Sequence, residues 1–421
     1  MEIEPLVAPF AATVALPGSK SVANRALVCA ALAEGSSRLE NLPAKNDTVA
    51  MVAGLRALGV EIALAGAAAD VTGSGGALAP GPVEIDARLA GTTSRFLTAV
   101  AVLGPGPYRI DGAPPLRSRP MAPLHDALRG LGAAVRPLDR AGHLPVEVSR
   151  GYLRGGRAAL AGHVSSQFLT ALMLVGPLLD GGLDIQLTSE LVSRPYAELT
   201  AAVMRAFGAA ADVGATAVRV SPGGYRATAL VIEPDASSAS YLAAAAATGP
   251  EGSVVHLAGL GAASPQADVR FIDVLAEMGA IVERDARTTT VRRGDVLHGV
   301  DVDLSGFSDS VPTLAAVAAL ANGPTRIRGV GFVRAKESDR IGTLATELRR
   351  CGVDVDEHGD GMTIRPASLH GAALHTHDDH RLAMSFAVLG LRVPGITIDD
   401  PAVVSKSFPG FWEVLASLRG R

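Results

Sequence analysis

LRALGVEI, residues 55–62, brings an amphipathic run to an apolar residue, turns on Gly59 and continues as a β-branched strand. The same phrase returns as LRGLGAAV, MRAFGAAADV, LAEMGAIV and LRRCGVDV, with glycines Gly132, Gly208, Gly279 and Gly352. These glycines lie 73, 76, 71 and 73 residues apart, and a looser sixth copy, VLASLRG, closes the chain at Gly420. Glycine suits the position because a helix C′ residue takes left-handed dihedrals. Self-similarity at a fixed period marks repeated supersecondary units.

A second series interleaves with the first: GSKSVANRALVCAAL, AGTTSRFLTAVAVL, VSSQFLTALMLV, PDASSASYLAAAAA, FSDSVPTLAAVAAL and HDDHRLAMSFAVLG. Their starts, near Lys20, Gly91, Ser165, Asp235, Asp309 and Asp379, are 70 to 74 residues apart. Helices apolar nearly all round are buried, so this series predicts the interior and the first series an outer shell. Short runs such as ATVAL, GVDVDL and ITIDD read as strands. The result is six α/β units, each of two helices and several strands.

At 421 residues the chain exceeds one ordinary core. Three units per domain is the natural division, with a boundary at 232–234 where Pro234 interrupts a strand pattern. We therefore expect a first domain over 14–233 and a second built from 1–13 plus 234–421, the N-terminal segment completing the sixth unit. Net charge is −4, with no lysine/arginine block and no RNA-type aromatic motif, which argues against nucleic acid as a partner. The start, MEIEPLVAPF, has no basic n-region, and the apolar run at 168–179 is too short to span a bilayer. Cys29 and Cys351 both fall in apolar helical patterns and read as buried thiols, with neither a disulfide framework nor a zinc ligand set. A cytoplasmic protein without membrane association is expected.

The six inner helices carry small or polar residues at their mouths. A serine, threonine or aspartate there caps orphan N–H groups, worth about 1 kcal/mol. Lys20, Arg25 and Arg381 fit that explanation poorly, because a cation near a helix N-terminus opposes the dipole. An anionic ligand resolves the conflict. Three loops add charge: LRSRPMAPL with Arg117 and Arg119, VRAKESDRIGTL with Arg334, Lys336, Glu337, Asp339 and Arg340, and VVSKSFPGF with Lys406. By local pattern alone, the second of these is a charged helix start with i,i+4 pairing.

LPGSKSVANRA, LAGTTSRF, RSRPMAPL, SSQFLTALML, ELVSRPY, PDASSASY, AKESDR, DDHRLAM and SKSFPGF occur in this order along the whole chain. In this the sequence resembles the 5-enolpyruvylshikimate-3-phosphate synthase (3-phosphoshikimate 1-carboxyvinyltransferase) family. The resemblance implies a two-domain α/β enolpyruvyl-transferase fold: six βαβαββ units, three per domain, around buried parallel helices, with the active site in the cleft between the domains. It implies transfer of the enolpyruvyl group of phosphoenolpyruvate to the 5-hydroxyl of shikimate 3-phosphate, in the shikimate pathway of aromatic amino-acid biosynthesis, and glyphosate as an inhibitor. It assigns Lys20, Ser21, Arg25, Ser165, Ser166, Gln167, Ser193, Asp309 and Lys336 to shikimate 3-phosphate, flanked by Tyr196. It assigns Lys20, Gly91, Arg119, Gln167, Arg340, Arg381 and Lys406 to phosphoenolpyruvate. Asp309 is implied as general base and Glu337 as proton donor, with Lys20 beside them as a catalytic cation. No metal or other cofactor and no protein partner is implied, and a monomer is expected.

Two positions depart from the family pattern. Leu89 stands where many members have Asn, and Phe332 where many have Asn four residues before the lysine of KE-[ST]-DR. Each removes a polar contact to a substrate while leaving the charged groups intact. Two other readings compete. A UDP-N-acetylglucosamine enolpyruvyl transferase usually carries a cysteine or aspartate in its catalytic loop and a Lys-Asn pair near its start; APPLRSRPMAPL has neither acid nor thiol, and Lys20 precedes Ser21. A non-catalytic anion-binding repeat protein has no need of both Asp309 and Glu337 beside cations.

Overall fold

The computed structural model describes every residue except 44, 45, 164, 420 and 421. Gly420 of the sixth copy and Val164 of the third inner motif therefore lie outside the described residues. The chain forms two compact units, Gly18–Glu233 and Met1–Pro17 with Pro234–Arg421.

Six inner helices follow the second sequence series: α1 (Lys20–Leu32), α2 (Gly91–Ala101), α3 (Ser166–Val175), α4 (Ala236–Thr248), α5 (Val311–Ala318) and α6 (His380–Gly390). They are buried almost throughout, α1, α4 and α5 largely through alanine; every residue of α1 from position 22 to 32 is buried. Small side chains let such helices approach closely. Within the Gly18–Glu233 unit α1, α2 and α3 pack on one another, and within the other unit α4, α5 and α6 do the same. Each trio is the centre of its own hydrophobic core. Cys29 and Cys351 are buried and free, as the apolar pattern predicts.

Three four-stranded sheets surround the first trio. In one, Val83–Asp86 runs parallel to Tyr108–Asp111, which pairs antiparallel with Val146–Ser149, and Ala134–Pro137 completes the hairpin. Period-two alternation fixes the inward face: Tyr108 and Ile110 are buried while Arg109 between them is exposed. The outer helices end at the glycines of the first series. Gly59, Gly132, Gly208, Gly279 and Gly352 have φ between 80° and 116°, the left-handed turn that throws the chain back into its hairpin.

Two features differ from six equal, locally closed units. First, Ala11–Val14, which precedes α1 in sequence, pairs parallel with Val254–Ala258 beside α4. Conversely Ala229–Val231, which precedes α4, pairs parallel with Ser36–Glu40 beside α1. The two units exchange leading strands, so residues 14–17 belong with the 234–421 segment, not with the first domain that the sequence suggests. Backbone bonds set the crossings: Ser19 N–H donates to Glu233 O at 2.8 Å, and Asp235 N–H to Pro17 O at 2.9 Å. Second, the sixth unit has no four-stranded sheet. Ala373–Leu374 pairs with Thr397–Ile398, and the chain's first residues join through an isolated bridge, Glu2 opposite Thr397. Where the other units form a helix and hairpin, this one has a 3-10 turn over Pro401–Lys406 and the short helix Phe411–Ser417. No described helix is long and apolar enough to cross a membrane.

Candidate active site

Two clusters of charge form at the mouths of the inner helices, one in each unit. In the Gly18–Glu233 unit, Ser19 caps α1 by accepting from Val22 N–H at 3.4 Å. The preceding Gly18 is sterically required, since a Cβ there would sit 1.9 Å from Asn41 O. Lys20 next to the cap reaches Asp47 at 3.0 Å. Asp47 is buried in the first turn of the helix Asn46–Ala57.

Arg25, one turn into α1, is buried and held entirely by neutral groups. It donates to Thr200 Oγ1 at 2.8 Å, Ser21 O at 2.8 Å, Thr170 Oγ1 at 3.3 Å and Tyr196 O at 3.3 Å. Its guanidinium lies over the Phe96 and Tyr196 rings, at 5.6 and 6.0 Å. Burial pulls its pKa down to about 10, against a smaller opposing influence of Tyr196. A buried guanidinium oriented by hydroxyls and carbonyls keeps its positive charge uncompensated locally, the condition for drawing in an anion. Ser193 nearby is buried with φ 54°, a left-handed conformation unusual for a side chain with a Cβ.

The mouth of α2 has no side-chain cap, since Ala90 occupies the N-cap. An uncapped helix start presents N–H groups able to meet an anion. Two guanidiniums converge over it: a Cβ added to Gly91 would lie 2.7 Å from Arg95 Nη1 and 3.2 Å from Arg119 Nη1. Arg95 donates to Gln167 Oε1 at 2.5 Å and stacks on Phe168, its Cζ 5.2 Å from the ring centroid. Gln167 is thereby tied to the α2 mouth, while Ser165 caps α3 through Gln167 N–H and Ser166 is buried at its first turn. Arg117, by contrast, is neutralised by a bidentate pair with Asp111, both contacts at 2.8 Å.

In the other unit the centre is Arg340, which is 1 % exposed. Its fork reaches Asp379 at 2.8 and 3.2 Å, Asp309 at 3.0 Å and Glu337 at 2.9 Å. Despite its burial, Asp379, Glu337 and Asp309 raise its pKa above the ordinary arginine value. Arg381 donates to Asp309 at 2.6 Å and to the Tyr241 hydroxyl at 3.5 Å. Lys336 lies 3.8 Å from Asp309, and Lys406 2.7 Å from Glu337. Burial would raise the Asp309 carboxyl, but Arg381, Lys336 and Arg340 hold it well below the usual carboxylate range. Burial in turn lowers Lys336, with Asp309 opposing. Asp309 and Glu337 thus lie against four cations, one of which, Arg340, is also held by Asp379.

The sequence-derived positions fall in these clusters: Lys20, Ser21, Arg25, Gly91, Arg119, Ser165, Ser166, Gln167, Ser193 and Tyr196 in one unit, and Asp309, Lys336, Glu337, Arg340, Arg381 and Lys406 in the other. Three expectations need correction. Lys20 and Arg381 have protein carboxylates as partners, Asp47 and Asp309, so an anion is not needed to explain their presence. Arg25 likewise has protein partners, all of them neutral. The stretch 331–341 is not a charged helix start; a 3-10 turn covers Gly331–Ala335 and the helix begins at Gly342. Its pairs are accordingly not i,i+4: Arg334 reaches Asp339 at 2.7 Å and Glu337 reaches Arg340.

Asp47, Arg95 and Asp379 were not singled out as site residues by sequence. Arg95 stands four residues after Gly91, close to the place of Arg25 in α1, so the repeat register could have found it. Asp379 caps α6 through Arg381 N–H at 3.0 Å while gripping Arg340. Its place matches that of Asp235 at the mouth of α4, which caps through Ser238 N–H. Of the two departures, Leu89 is 46 % exposed beside the α2 mouth. Phe332 packs its ring against the core of its unit.

A model of the family described as EPSP synthase (3-phosphoshikimate 1-carboxyvinyltransferase) matches residues 6–415. The 3-phosphoshikimate 1-carboxyvinyltransferase of Methanoculleus marisnigri is 44 % identical over 416 residues, covering 97 % of this chain and 96 % of that protein. Its counterpart in Methanosphaerula palustris is 43 % identical over 406 residues, 95 % of each. The solved structure of EPSP synthase from Acinetobacter baumannii superposes with a TM-score of 0.86 at 27 % identity, covering 99 % of this chain and 97 % of that one. With its exchanged strands, its two trios of inner helices and these matches over nearly its whole length, the chain belongs to the EPSP synthase (3-phosphoshikimate 1-carboxyvinyltransferase) family and has the mixed α/β enolpyruvyl-transferase fold.

Proposed function

We propose that the two clusters together carry out the family's reaction, the transfer of the enolpyruvyl group of phosphoenolpyruvate to the 5-hydroxyl of shikimate 3-phosphate with release of phosphate. The observation that carries this reading is the placement of Asp309 and Glu337 among Lys336, Arg340, Arg381 and Lys406. A binder of anions gains nothing from carboxylates that occupy its cations. An acid–base catalyst requires them.

Shikimate 3-phosphate takes its phosphate and carboxylate ligands from Lys20, Ser21, Arg25, Ser165, Ser166, Ser193 and Lys336, with Tyr196 alongside. Phosphoenolpyruvate, with two anionic groups, takes Gly91, Arg119, Gln167, Arg340, Arg381 and Lys406. Arg and carboxylate or phosphate groups pair through matched forks. Arrival of these anions competes for the cations that now hold Asp309 and Glu337. As Arg381 and Arg340 turn to the substrate, Asp309 loses the partners that depress its basicity. Glu337, released from Lys406 and Arg340, can hold a proton.

The chemistry then needs no redox step. Glu337 delivers a proton to the methylene carbon, and the 5-hydroxyl oxygen bonds to the adjacent carbon while its proton passes to Asp309. Glu337, now a carboxylate, takes a proton back from the new methyl group of the tetrahedral product as the C–O bond to phosphate breaks, the departing phosphate takes the proton held by Asp309, and the vinyl ether forms. The reading includes a monomeric cytoplasmic enzyme working without a metal or other cofactor. It is tested by measuring phosphate release from phosphoenolpyruvate with shikimate 3-phosphate or UDP-N-acetylglucosamine as acceptor. Turnover with the first alone is expected; turnover only with the second, or with neither, rejects it.

A further inference from the structure

The segment that leads into α6 carries two histidines one residue apart, His375 and His377. Each is anchored to a carboxylate. His375 Nδ1 lies 2.9 Å from Asp399 Oδ2, and His377 Nε2 lies 3.0 Å from Glu347 Oε1. An ionised carboxylate only accepts, so the proton sits on the anchored nitrogen of each neutral ring. The lone pairs are left on Nε2 of His375 and Nδ1 of His377, for which no other contact is seen among the described residues. Both rings are substantially open to solvent, 50 % and 42 % exposed.

The rings are edge to face with centroids 6.0 Å apart. With metal–nitrogen bonds of about 2.0–2.1 Å, two imidazoles sharing one ion at a tetrahedral angle have centroids about 5 Å apart, so the two exposed rings need to close by only about 1 Å. The carboxylate behind each ring is the outer partner that metal-bound histidines ordinarily have, fixing the tautomer and raising ligand basicity. Glu347 is itself fixed: it is 2 % exposed and its other oxygen accepts from His375 N–H at 3.0 Å. The backbone holds the pair in place at a cost, since His377 and Asp378 are both left-handed, with φ of 51° and 58°.

We propose that His375 and His377 form a site for one divalent transition-metal ion that prefers imidazole, with Asp399 and Glu347 as outer-sphere partners and water completing the coordination. Among the described residues no group of three or more histidine, cysteine or carboxylate side chains is arranged to hold a metal. The site is therefore a two-imidazole one, open to exchange, and copper(II) should bind more tightly than zinc(II). Neither histidine is among the residues assigned to substrate. The ion ties down the turn just before Asp379.

The test is titration of the full chain with copper(II), followed by electron paramagnetic resonance, and with zinc(II), followed by calorimetry. One copper per chain with two imidazole nitrogens is expected. His375→Ala and His377→Ala should each weaken binding at least tenfold. Asp399→Asn should weaken it tenfold or more through the ring it orients, and His375→Gln serves if the alanine variant fails to fold. His143→Ala, at a half-buried histidine elsewhere, should change nothing. Unchanged copper affinity in a folded His375→Ala/His377→Ala chain, or loss of the site in His143→Ala, overturns the proposal.

Discussion

Arg340 is the residue on which the chemistry of its unit turns. A guanidinium 1 % exposed is tolerable only because Asp379, Asp309 and Glu337 meet its fork. Asp379, fully buried, is the permanent partner, and the other two carboxylates are the exchangeable ones. Replacing either by its amide keeps shape and removes charge, so the cations remain available to substrate anions. Asp309→Asn and Glu337→Gln should keep shikimate 3-phosphate affinity within an order of magnitude and leave KM for phosphoenolpyruvate equal or lower. Turnover should fall by about 10²–10⁴ in each. A variant that turns over normally removes its residue from the mechanism. Gly91→Ala tests the other cluster. Its methyl group meets Arg95 and Arg119 at 2.7 and 3.2 Å, tighter than an ordinary contact. Both are flexible guanidinium tips, so the helix survives, but the anion site they frame shifts. On the proposed function, inhibition by glyphosate, which carries a carboxylate and a phosphonate, should weaken more than phosphoenolpyruvate binding does. Equal losses for the two ligands would place Gly91 elsewhere.

Among the helices, one has a buried ring with no hydrogen bond seen among the described residues. His125 in Ala122–Gly130 is 0 % exposed, and neither ring nitrogen finds a partner. Burial, reinforced by Arg129 and His143 and opposed by Asp126, lowers its pKa to about 4. The unfolded chain then binds the proton more readily. The penalty is absent above the ordinary histidine value and grows as pH falls through about 6.5 towards 4, reaching on the order of 2–3 kcal/mol. His125→Leu should remove that acid dependence and stabilise by about 1 kcal/mol at neutral pH by ending an unpaired polar burial. Urea midpoints of the two proteins between pH 4.5 and 7.5 measure it; parallel curves would contradict it. Element order was largely legible in sequence because local physics writes it: continuous apolar burial for α1 to α6, and left-handed glycines where outer helices end. What was not legible is long-range. ATVAL and the strand before α4 carry the same alternating pattern, so nothing local says that Ala11–Val14 pairs beside α4 and Ala229–Val231 beside α1. Asp47, Arg95 and Asp379 were missed for the same reason. Each looks like an ordinary helix-end or first-turn residue until another element brings its partner.

For the whole molecule, the consequence of exchanged strands is that each unit has a private core, one built from a continuous stretch of chain and the other from two separated segments. Met1–Pro17 and Pro234–Arg421 share one core, and Gly18–Glu233 has the other. Such units can unfold as separate transitions, since cooperativity is a property of a core. On the proposed function, shikimate 3-phosphate is ligated by Arg25 and Ser193 from one core and by Asp309 and Lys336 from the other. A ligand bound only when both are folded stabilises both together. At 100 times its Kd the gain is about 2.7 kcal/mol, and it should appear in calorimetry as convergence of the transitions and a higher midpoint. The decisive variants sit one in each unit. Arg25→Ala removes a buried cation from the Gly18–Glu233 unit, and Lys336→Ala removes a half-buried one from its counterpart. Each alone should abolish the ligand-induced shift of both transitions, although it alters only one core. If Lys336→Ala left the Gly18–Glu233 transition still responsive to shikimate 3-phosphate, that unit would hold the ligand unaided, and the assignment of Lys336 and Asp309 to it would fall.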